Sequence, residues 1–308
     1  RSAGKRYEDA VQGRWKIDCD MPLYVKDMIV YSTDDIEEYC GAIDFTFCAV
    51  DMKKDEIRAL EERIAKLEIP VISNNSANRW TEDVPMIIPE INGSHAALID
   101  DQKKRLGTKR GFIAVKPNCS IQSYVPALTP LLSYGIKLIS VCTYQAISGA
   151  GKTFKDWPEM VGNMIPYIGG EEEKSEKEPL RVWGEYANGK IELAKQPVIS
   201  AQCYRVAVQE GHTAAVSVSF DRKPSMEDMK KAWSEFEGEA QKLNLPNAPK
   251  HFLQYFEEDN RPQPALDAMY ENGMGVSIGR LREDNIFDYK FTCLSHNTLR
   301  GAAGGSML

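Results

Sequence analysis

Short apolar strands alternate with an amphipathic helix early in the chain, and this pattern restricts the fold more than any other feature of the sequence. Residues 44–50 and 70–73 are predicted to form buried strands. Between them, the apolar side chains of Ile57, Leu60 and Ile64 recur at helical spacing. A strand, a helix and a strand in this order predict a βαβ unit with parallel neighbouring strands.

The alternation continues on both sides of this unit. Residues 26–30, 86–91 and 111–115 are predicted as further short strands, and residues 94–106 as a helix. Pro117 then ends the pattern. Repeated alternation of this kind is typical of α/β domains that bind nucleotides at the carboxyl ends of a parallel sheet.

Longer strands follow Pro117, and their short connections indicate a mainly antiparallel sheet covered by helices. The predicted strands are 137–148, 198–208, 212–220 and 285–297, and an amphipathic helix is predicted over 225–244. The predicted fold is therefore an α/β dinucleotide-binding domain over 1–117 and an α+β domain over 118–297. Residues 298–308 are expected to begin a helix that returns to the first domain.

Composition limits the classes of partner. The chain has 308 residues, a net charge of −7 and a pI near 5.4, so nucleic acid is not an expected partner. No apolar run approaches the roughly 20 residues that cross a bilayer, and no signal peptide is recognised, so no membrane association is expected. The seven cysteines are scattered without a CxxC pair, which indicates reduced thiols in the cytoplasm and no zinc or other metal site.

Cys119 is the first candidate for chemistry. It stands in "VKPNCSIQSYVP", residues 115–126, after a predicted strand and before a segment with helical apolar spacing. Asn118 is a favourable N-cap, which would place Cys119 in a first helical turn, where the helix dipole favours the thiolate. Pro126 and Pro130 predict a bend in this helix. The alternative is a free cysteine that is merely packed in the core.

His212 is the candidate proton carrier for such a nucleophile. In "CYRVAVQEGHTAAV" the strand that carries Arg205 is followed by a turn at Gly211 and by His212 at the start of the next strand. If the two strands form a hairpin, Arg205 and His212 can point into one cleft, where His212 would be a general acid/base. His95 and His251 are interpreted as surface histidines. His296 could serve either role.

Five fragments, taken together and in order, resemble the aspartate-β-semialdehyde dehydrogenase family, and most closely its archaeal and fungal branch. They are "PNCS", "TYQAISGAGKTF", "EEEKSEKEPLRVWG", "CYRVAVQEGHTAAV" and "HNTLRGAAGGS". The resemblance extends over nearly the whole chain. It implies a Rossmann-like NADP-binding domain whose first strand and glycine-rich loop are apparently missing, followed by a catalytic and dimerisation domain.

The resemblance also implies roles for individual residues. Cys119 would be the acyl-forming nucleophile, and Asn118 would help to hold the oxyanion. Gln145 would orient the substrate near the thiol, and His212 would be the general acid/base.

The substrate-binding residues implied by the resemblance are all charged. Arg205 would pair with the substrate α-carboxylate, and Glu178 would bind the α-amino group. Arg181 and Arg79 would bind phosphate, although the position of Arg181 is often lysine in the family. Without the resemblance, Glu178 and Arg181 would be interpreted as an ordinary surface pair one helical turn apart.

The cofactor is implied to be NADP. The residues that would contact it are Arg1, Ser2, Ser148, Gly149, Gly151 and Asn297, with the first two selecting the 2′-phosphate. The "KTFKDW" segment after the glycine cluster departs from the nearest branch, so the wall of the nicotinamide pocket is left open.

The function expected from this resemblance is the reversible NADP-dependent interconversion of L-aspartyl-4-phosphate and L-aspartate-4-semialdehyde in lysine, threonine and methionine biosynthesis. The partners would be this small substrate and phosphate, in a homodimer or homotetramer. Two alternatives are an acyl-thioester reductase similar to malonyl-CoA reductase, and a catalytically silent binding relative.

Overall fold

A computed structural model describes residues 2–15 and 19–308 of the chain. In these ranges the α-helices are α1 (Tyr7–Ala10), α2 (Leu23–Lys26), α3 (Ile36–Tyr39), α4 (Lys54–Lys66), α5 (Pro89–Asn92), α6 (Leu98–Leu106), α7 (Val125–Leu128), α8 (Glu171–Val182), α9 (Met226–Ser234), α10 (Glu239–Lys242), α11 (Pro264–Asp267) and α12 (Ala303–Met307). The strands are β1 (Thr46–Cys48), β2 (Val71–Ser73), β3 (Ile113–Val115), β4 (Ile136–Gln145), β5 (Met164–Ile165), β6 (Glu185–Ala187), β7 (Lys190–Glu192), β8 (Val198–Val206), β9 (His212–Phe220), β10 (Leu253–Phe256), β11 (Val276–Glu283) and β12 (Tyr289–Ser295).

The N-terminal part forms a parallel three-stranded sheet in the order β1-β2-β3. Helix α4 connects β1 to β2 and buries Ile57, Leu60 and Ile64. The backbone N–H of Lys53 donates to the carboxylate of Glu56 at 3.1 Å, which satisfies an amide at the start of the helix. The βαβ unit expected from the sequence is therefore present.

Two predicted strands of this part are wrong. Residues 26–30 contribute the end of α2 and an isolated bridge between Ile29 and Arg6, and the side chains of Met28 and Ile29 are exposed. Residues 86–91 form an isolated bridge between Met86 and Val115 before Pro89 begins α5. Proline has a fixed φ and no N–H, so it favours the first turn of a helix over a strand interior.

The C-terminal part contains a seven-stranded sheet in the order β10-β11-β12-β9-β4-β8-β5. The β10–β11 and β4–β8 pairs are parallel and the remaining pairs are antiparallel, which confirms the mainly antiparallel sheet. Helices cover one face, and its buried side chains form a core that is continuous with that of the first sheet. A separate hairpin joins β6 to β7.

Three strands of this sheet were missed, because their sequences lack a long apolar alternation, and one of them, β5, has only two residues. Strand β10 has only four residues. Strand β11 has a register shift between Gly279 and Arg282, and Arg280 lies there with a φ of 59°. The helix predicted over 225–244 is divided into α9 and α10, because Gly238 packs against the backbone of Glu90, where a Cβ would lie 2.4 Å from the carbonyl oxygen.

The predicted hairpin between residues 198–208 and 212–220 is also wrong. Strand β4 lies between β8 and β9, so Thr143 pairs with Cys203 on one side and with Ala214 on the other. The carboxyl ends of β4 and β8 and the amino end of β9 therefore meet at one edge of the sheet. Arg205 and His212 therefore still face the same cleft, although their strands are separated by β4 and do not form a hairpin.

Candidate active site

A cleft with a volume of about 360 Å³ lies at this edge of the large sheet. The segment after β2 contributes Asn74–Ser76 and Arg79, and the segment after β3 contributes Asn118 and Cys119. Ser148 and Gly149 follow β4, and Asn297, Thr298, Gly301 and Ala302 follow β12. Glu171 and Lys174 enter from the first turn of α8. The carboxyl ends of parallel strands thus supply much of the lining, as in other open α/β sheets.

Cys119 lies in a turn and not in a first helical turn as predicted. The side-chain oxygen of Asn118 accepts hydrogen bonds from the Ser120 backbone N–H at 2.7 Å and from the Ser120 hydroxyl at 2.6 Å. A short 3₁₀ helix, Ile121–Ser123, follows before α7. The break expected near Pro126 and Pro130 is present, because the segment is divided into separate short helices.

The sulfur of Cys119 lies 3.5 Å from Nε2 of His212. His212 is fully buried, and its Nδ1 lies 3.0 Å from the backbone nitrogen of Ala146. A backbone amide can only donate, so Nδ1 is the acceptor and the proton of the neutral ring is on Nε2. The geometry therefore directs an N–H of His212 at the sulfur.

The two side chains are neutral in the ligand-free protein. Burial, followed by the negative charge of Glu171, raises the pKa of the Cys119 thiol to about 11. Burial, followed by the positive charge of Arg205, lowers the pKa of His212 to about 3. The prediction of an ionised sulfur is therefore wrong for this state, because a single 3₁₀ turn offers too small a dipole to offset desolvation.

We expect the alkylation rate of Cys119 to rise about tenfold per pH unit between pH 7 and 10, because only the thiolate reacts and the raised pKa keeps its fraction small. The measurement is iodoacetamide labelling followed by peptide mass spectrometry, with Cys19, an exposed thiol, as the internal comparison. A rate that levels off below pH 8 would contradict a raised thiol pKa.

Arg205 and Gln145 are neighbours in the register between β4 and β8. Nη1 of Arg205 donates to the carbonyl oxygen of Ala146 at 2.7 Å, so Arg205 and His212 are held by the two polar groups of one residue. The side-chain amide of Gln145 donates to Glu171 at 3.2 Å. All three predicted residues therefore lie at the edge of the sheet where Cys119 is found.

Glu171 and Lys174 are charged cleft residues that the sequence analysis missed. The carboxylate of Glu171 accepts from Nδ2 of Asn118 at 2.9 Å and from Nζ of Lys174 at 2.7 Å. Burial alone would raise the pKa of Glu171, but Lys174, Asn118 and Gln145 together hold it below the usual value. A signal existed, because Glu171 and Lys174 have the same i,i+3 spacing as the chosen pair and carry the lysine that the family often has.

Glu178 and Arg181 do not line this cleft, so the sequence-based choice of these two as substrate ligands is corrected. Glu178 is 1% exposed, and its carboxylate contacts Arg79 at 2.9 Å and the backbone N–H of Asn118 at 2.6 Å. Nη2 of Arg181 donates to the carbonyl oxygens of Thr81 and Val84 at 3.0 and 2.9 Å. Both side chains are used to hold neighbouring segments of the protein.

The predicted cofactor residues divide into those inside and those outside the cleft. Ser148, Gly149 and Asn297 line it, whereas Gly151 lines a neighbouring cavity of about 540 Å³. Ser2 is half-buried, and its carbonyl accepts from the Lys5 N–H at 3.2 Å; it does not line the cleft. Arg1 lies outside the described residues.

Two glycines keep the cleft open for a ligand. A Cβ on Gly149 would lie 2.9 Å from both Nη1 of Arg205 and Cε1 of His212. A Cβ on Gly301 would lie 2.7 Å from Cβ of Cys119. Bare backbone thus approaches the reactive side chains from both walls, which fits a site that admits a flat cofactor ring next to the sulfur.

Residues 2–15 and 19–308 contain neither a metal-binding cluster nor a membrane-spanning helix. Within those ranges there is no cluster of three or more His, Cys, Asp or Glu side chains arranged to hold a metal ion. In the same part of the chain, no helix combines the length and the apolar character needed to cross a membrane.

Sequence profiles of two domain families match the chain. The profile described as semialdehyde dehydrogenase, NAD binding domain, matches residues 1–99, and that described as semialdehyde dehydrogenase, dimerisation domain, matches residues 128–300. The matched ranges leave residues 100–127 unassigned, so the division at residues 117 and 118 stays a prediction.

Curated proteins and a solved structure resemble the chain over its full length. An aspartate-semialdehyde dehydrogenase of Methanothermobacter thermautotrophicus is 42% identical over 311 residues, covering 100% of this chain and 87% of the relative. That of Saccharomyces cerevisiae is 38% identical, covering 100% of this chain and 86% of the relative. The crystal structure of the Candida albicans enzyme with NADP superimposes with a TM-score of 0.88 at 34% identity, covering 100% of this chain and 87% of that chain.

Proposed function

This chain belongs to the aspartate-semialdehyde dehydrogenase family, and from that premise we propose how its cleft performs the family's reaction. The protein is an oxidoreductase of amino-acid biosynthesis that reversibly converts L-aspartyl-4-phosphate to L-aspartate-4-semialdehyde with NADP. The observation that carries the proposal is the 3.5 Å contact between Cys119 and His212 beside a cluster of fixed charges.

The charges around Cys119 match a substrate with one ammonium and several anionic groups. Glu171 would bind the α-ammonium group, in place of Glu178, and Arg205 would pair with the α-carboxylate. Arg79 and Lys174 would bind the phosphate, with Lys174 in place of Arg181. These roles are supported by the lining of the cleft and by the position of the Arg205 guanidinium against His212 and Gly149.

The covalent steps take place at the sulfur of Cys119. In the oxidative direction Cys119 first loses its thiol proton to solvent, the thiolate adds to the aldehyde carbon to give a hemithioacetal oxyanion, and loss of hydride from this oxyanion leaves a thioester. An oxygen of phosphate then attacks the thioester carbon, which releases aspartyl phosphate and restores the thiolate. Bound NADP would supply the hydride acceptor. Ser148, Gly149 and Asn297 would hold it beside Cys119, and recognition of its 2′-phosphate by Arg1 and Ser2 stays a prediction.

His212 would act as a hydrogen-bond donor and not as a general acid/base. Its Nε2–H is aimed at the sulfur while Nδ1 is occupied by the Ala146 N–H. In this tautomer the ring donates a hydrogen bond to the thiolate and then to the oxyanion of the hemithioacetal, so the ring need not be protonated. The side-chain amide of Asn118 donates to the carboxylate of Glu171 at 2.9 Å, so its contribution to the same stabilisation stays a prediction.

Glu171 argues against the acyl-thioester reductase alternative. A coenzyme A thioester of malonate has no ammonium group. Its binding would therefore give the buried Glu171 carboxylate no cationic partner besides Lys174. The curated relatives carry the aspartate-semialdehyde dehydrogenase name, so neither this alternative nor a silent binding relative is favoured.

The experiment that tests the function is NADP reduction by the protein with L-aspartate-4-semialdehyde, in the presence and absence of phosphate. We expect turnover only when phosphate is present, because phosphate must cleave the thioester. Malonyl-CoA with NADPH, and NAD in place of NADP, are the comparison assays. Turnover with malonyl-CoA but not with the semialdehyde would overturn the proposal.

We expect Glu171→Gln to weaken substrate binding and, at the same time, to make the Cys119 thiol easier to ionise. The KM for the semialdehyde should rise by about 10–100-fold, because a charged hydrogen bond to the ammonium group is lost. The alkylation curve of Cys119 in the free enzyme should shift to lower pH, because the negative charge that helps to raise the thiol pKa is removed. Steady-state kinetics and iodoacetamide labelling measure the two effects. An unchanged KM would exclude Glu171 as the ammonium ligand.

The protein is expected to associate with a second copy of itself, as the matched dimerisation domain indicates. A homodimer through the uncovered face of the large sheet would bury the stacked rings of Tyr144 and Tyr204, whose centroids are 6.1 Å apart, together with exposed Val198. Tyr204→Glu should then convert the dimer to a monomer in light scattering, and a tetramer would point to a further interface.

The proposed location is the cytoplasm, where the nucleophile stays reduced.

A further inference from the structure

Glu178 holds two separate segments of the cleft with one carboxylate. Its Oε1 accepts from Nη1 of Arg79 at 2.9 Å, and its Oε2 accepts from the backbone N–H of Asn118 at 2.6 Å. Arg79 is 99 residues away along the chain and Asn118 is 60 residues away. Glu178 is 1% exposed, so the carboxylate is held by protein groups and not by bulk water.

The contact with Asn118 acts on the backbone next to the nucleophile. Asn118 directly precedes Cys119, and its side chain is already bound by Ser120 and by Glu171. The bond from the Asn118 N–H to Glu178 fixes the remaining polar group at the start of this turn. The Asn118 N–H belongs to the Pro117–Asn118 peptide, so a small rotation of that peptide would move the backbone that leads into Cys119 and the Asn118 side chain beside it.

The contact with Arg79 acts on the proposed phosphate ligand. Nε of Arg79 donates to the carbonyl oxygen of Lys116 at 2.9 Å, and Nη1 donates to Glu178. Nη2 also donates to the carbonyl oxygen of Asn74 at 3.4 Å, so each nitrogen of the planar guanidinium has one bond to the protein, and the side chain is 8% exposed. Arg79 still lines the cleft, so the fixed group offers its remaining donors to an anion there.

Helix α8 makes this arrangement rigid. One turn beyond Glu178, Arg181 donates to the carbonyl oxygens of Thr81 and Val84 and thereby ties the segment after Arg79 to the same helix. Glu171 and Lys174, at the start of α8, line the cleft itself. The helix therefore carries ligands in its first turn and their supports two turns later.

We propose that Glu178 is a positioning residue that aligns the phosphate-binding guanidinium of Arg79 with the backbone N–H of Asn118, the residue that directly precedes Cys119, a role that rests on the proposed function. It acts through these two groups and does not touch the substrate. A phosphate oxygen must reach the thioester carbon on Cys119, so the distance between Arg79 and the sulfur has to be set before phosphate binds. Glu178 sets it by contacting both segments, and a misplacement of about 1 Å can cost about 10²-fold in rate.

The test is Glu178→Gln, measured beside Glu173→Gln on the same helix. Glutamine offers one acceptor and one donor where the carboxylate offers two acceptors, so it cannot serve Arg79 and the Asn118 N–H together. We expect the KM for phosphate to rise at least about tenfold and kcat to fall, with the KM for NADP within about twofold of the unmodified protein. Glu173 is exposed and pairs with Lys177, so its variant should behave as the unmodified protein.

The outcomes of these measurements distinguish a failure of the positioning role of Glu178 from a failure of the proposed function. A Glu178→Gln protein whose phosphate KM is unchanged, while its Tm or its kcat alone falls, would overturn the positioning role and leave a structural one. If this variant does not fold, Glu178→Asp decides by the same criterion, because it keeps the charge but is one methylene too short to reach both partners. An unmodified protein without phosphate-dependent turnover would instead refute the proposed function.

Discussion

Replacement of Cys119 by alanine is expected to lower kcat by about 10⁴-fold or more, the scale seen when an enzyme loses its nucleophile. Without the sulfur no thioester can form, and neither hydride loss from a hemithioacetal nor attack by phosphate has a substrate. The fold should persist, because the side chain is small and lies at the wall of a cleft. The measurement is phosphate-dependent NADP reduction, with circular dichroism as the check on folding.

Cys19→Ala provides the matched control for this prediction, because it removes an exposed thiol in a different segment. It should leave kcat unchanged within about twofold. A Cys119→Ala protein that retained a tenth of the activity would show that another group carries the chemistry. In that case the contact between Cys119 and His212 would be packing alone.

Replacement of His212 by alanine is expected to lower kcat by about 10²–10⁴-fold, the range for loss of a positioned proton donor or acceptor. The imidazole is fully buried, its Nδ1 is occupied by the Ala146 N–H, and its Nε2 faces the sulfur. His212→Gln should recover at least about tenfold of the loss, because a glutamine amide can place an N–H near the position of Nε2.

The pH dependence of the activity is a second test of the role of His212. The pKa of His212 is lowered to about 3 by burial and by Arg205, so the ring is neutral near pH 7. Protonation of His212 should therefore cause no loss of activity near pH 6.5. The pH dependence in that range should be the same in the unmodified protein and in the His212 variants. A loss of activity near pH 6.5 that disappears in these variants, together with equal activities of the alanine and glutamine variants, would establish proton transfer by His212 and contradict the donor role.

The sequence alone was sufficient for the general architecture and for the reactive pair. Period-3.6 spacing of Ile57, Leu60 and Ile64 between two apolar runs predicts the βαβ unit, because burying one helix face on a sheet requires that spacing. Cys119 and His212 could be chosen because few residue types can act as a nucleophile with a nearby imidazole. Their motifs, in order along the chain, also carry the resemblance to the family.

The choice between two acidic residues of α8 could not be made from the sequence. Glu171 with Lys174 and Glu178 with Arg181 have the same spacing, and seven residues separate the two pairs. Seven residues are almost two full turns, so both pairs lie on the same face of the helix, about 10 Å apart along its axis. Only the placement of α8 against the two sheets decides which pair reaches the cleft.

What the amino-acid sequence determined by itself was local: the periodicity of each segment, the residue types able to do chemistry, and the break in helical structure near Pro126 and Pro130. The tertiary structure alone decided that β4 stands between β8 and β9 and that Glu178 supports the site without lining it. It also decided the protonation of Cys119, since burial and the nearby Glu171 raise its pKa. Desolvation and charge–charge interactions depend on groups distant in the chain, so no pattern of neighbouring residues can encode them.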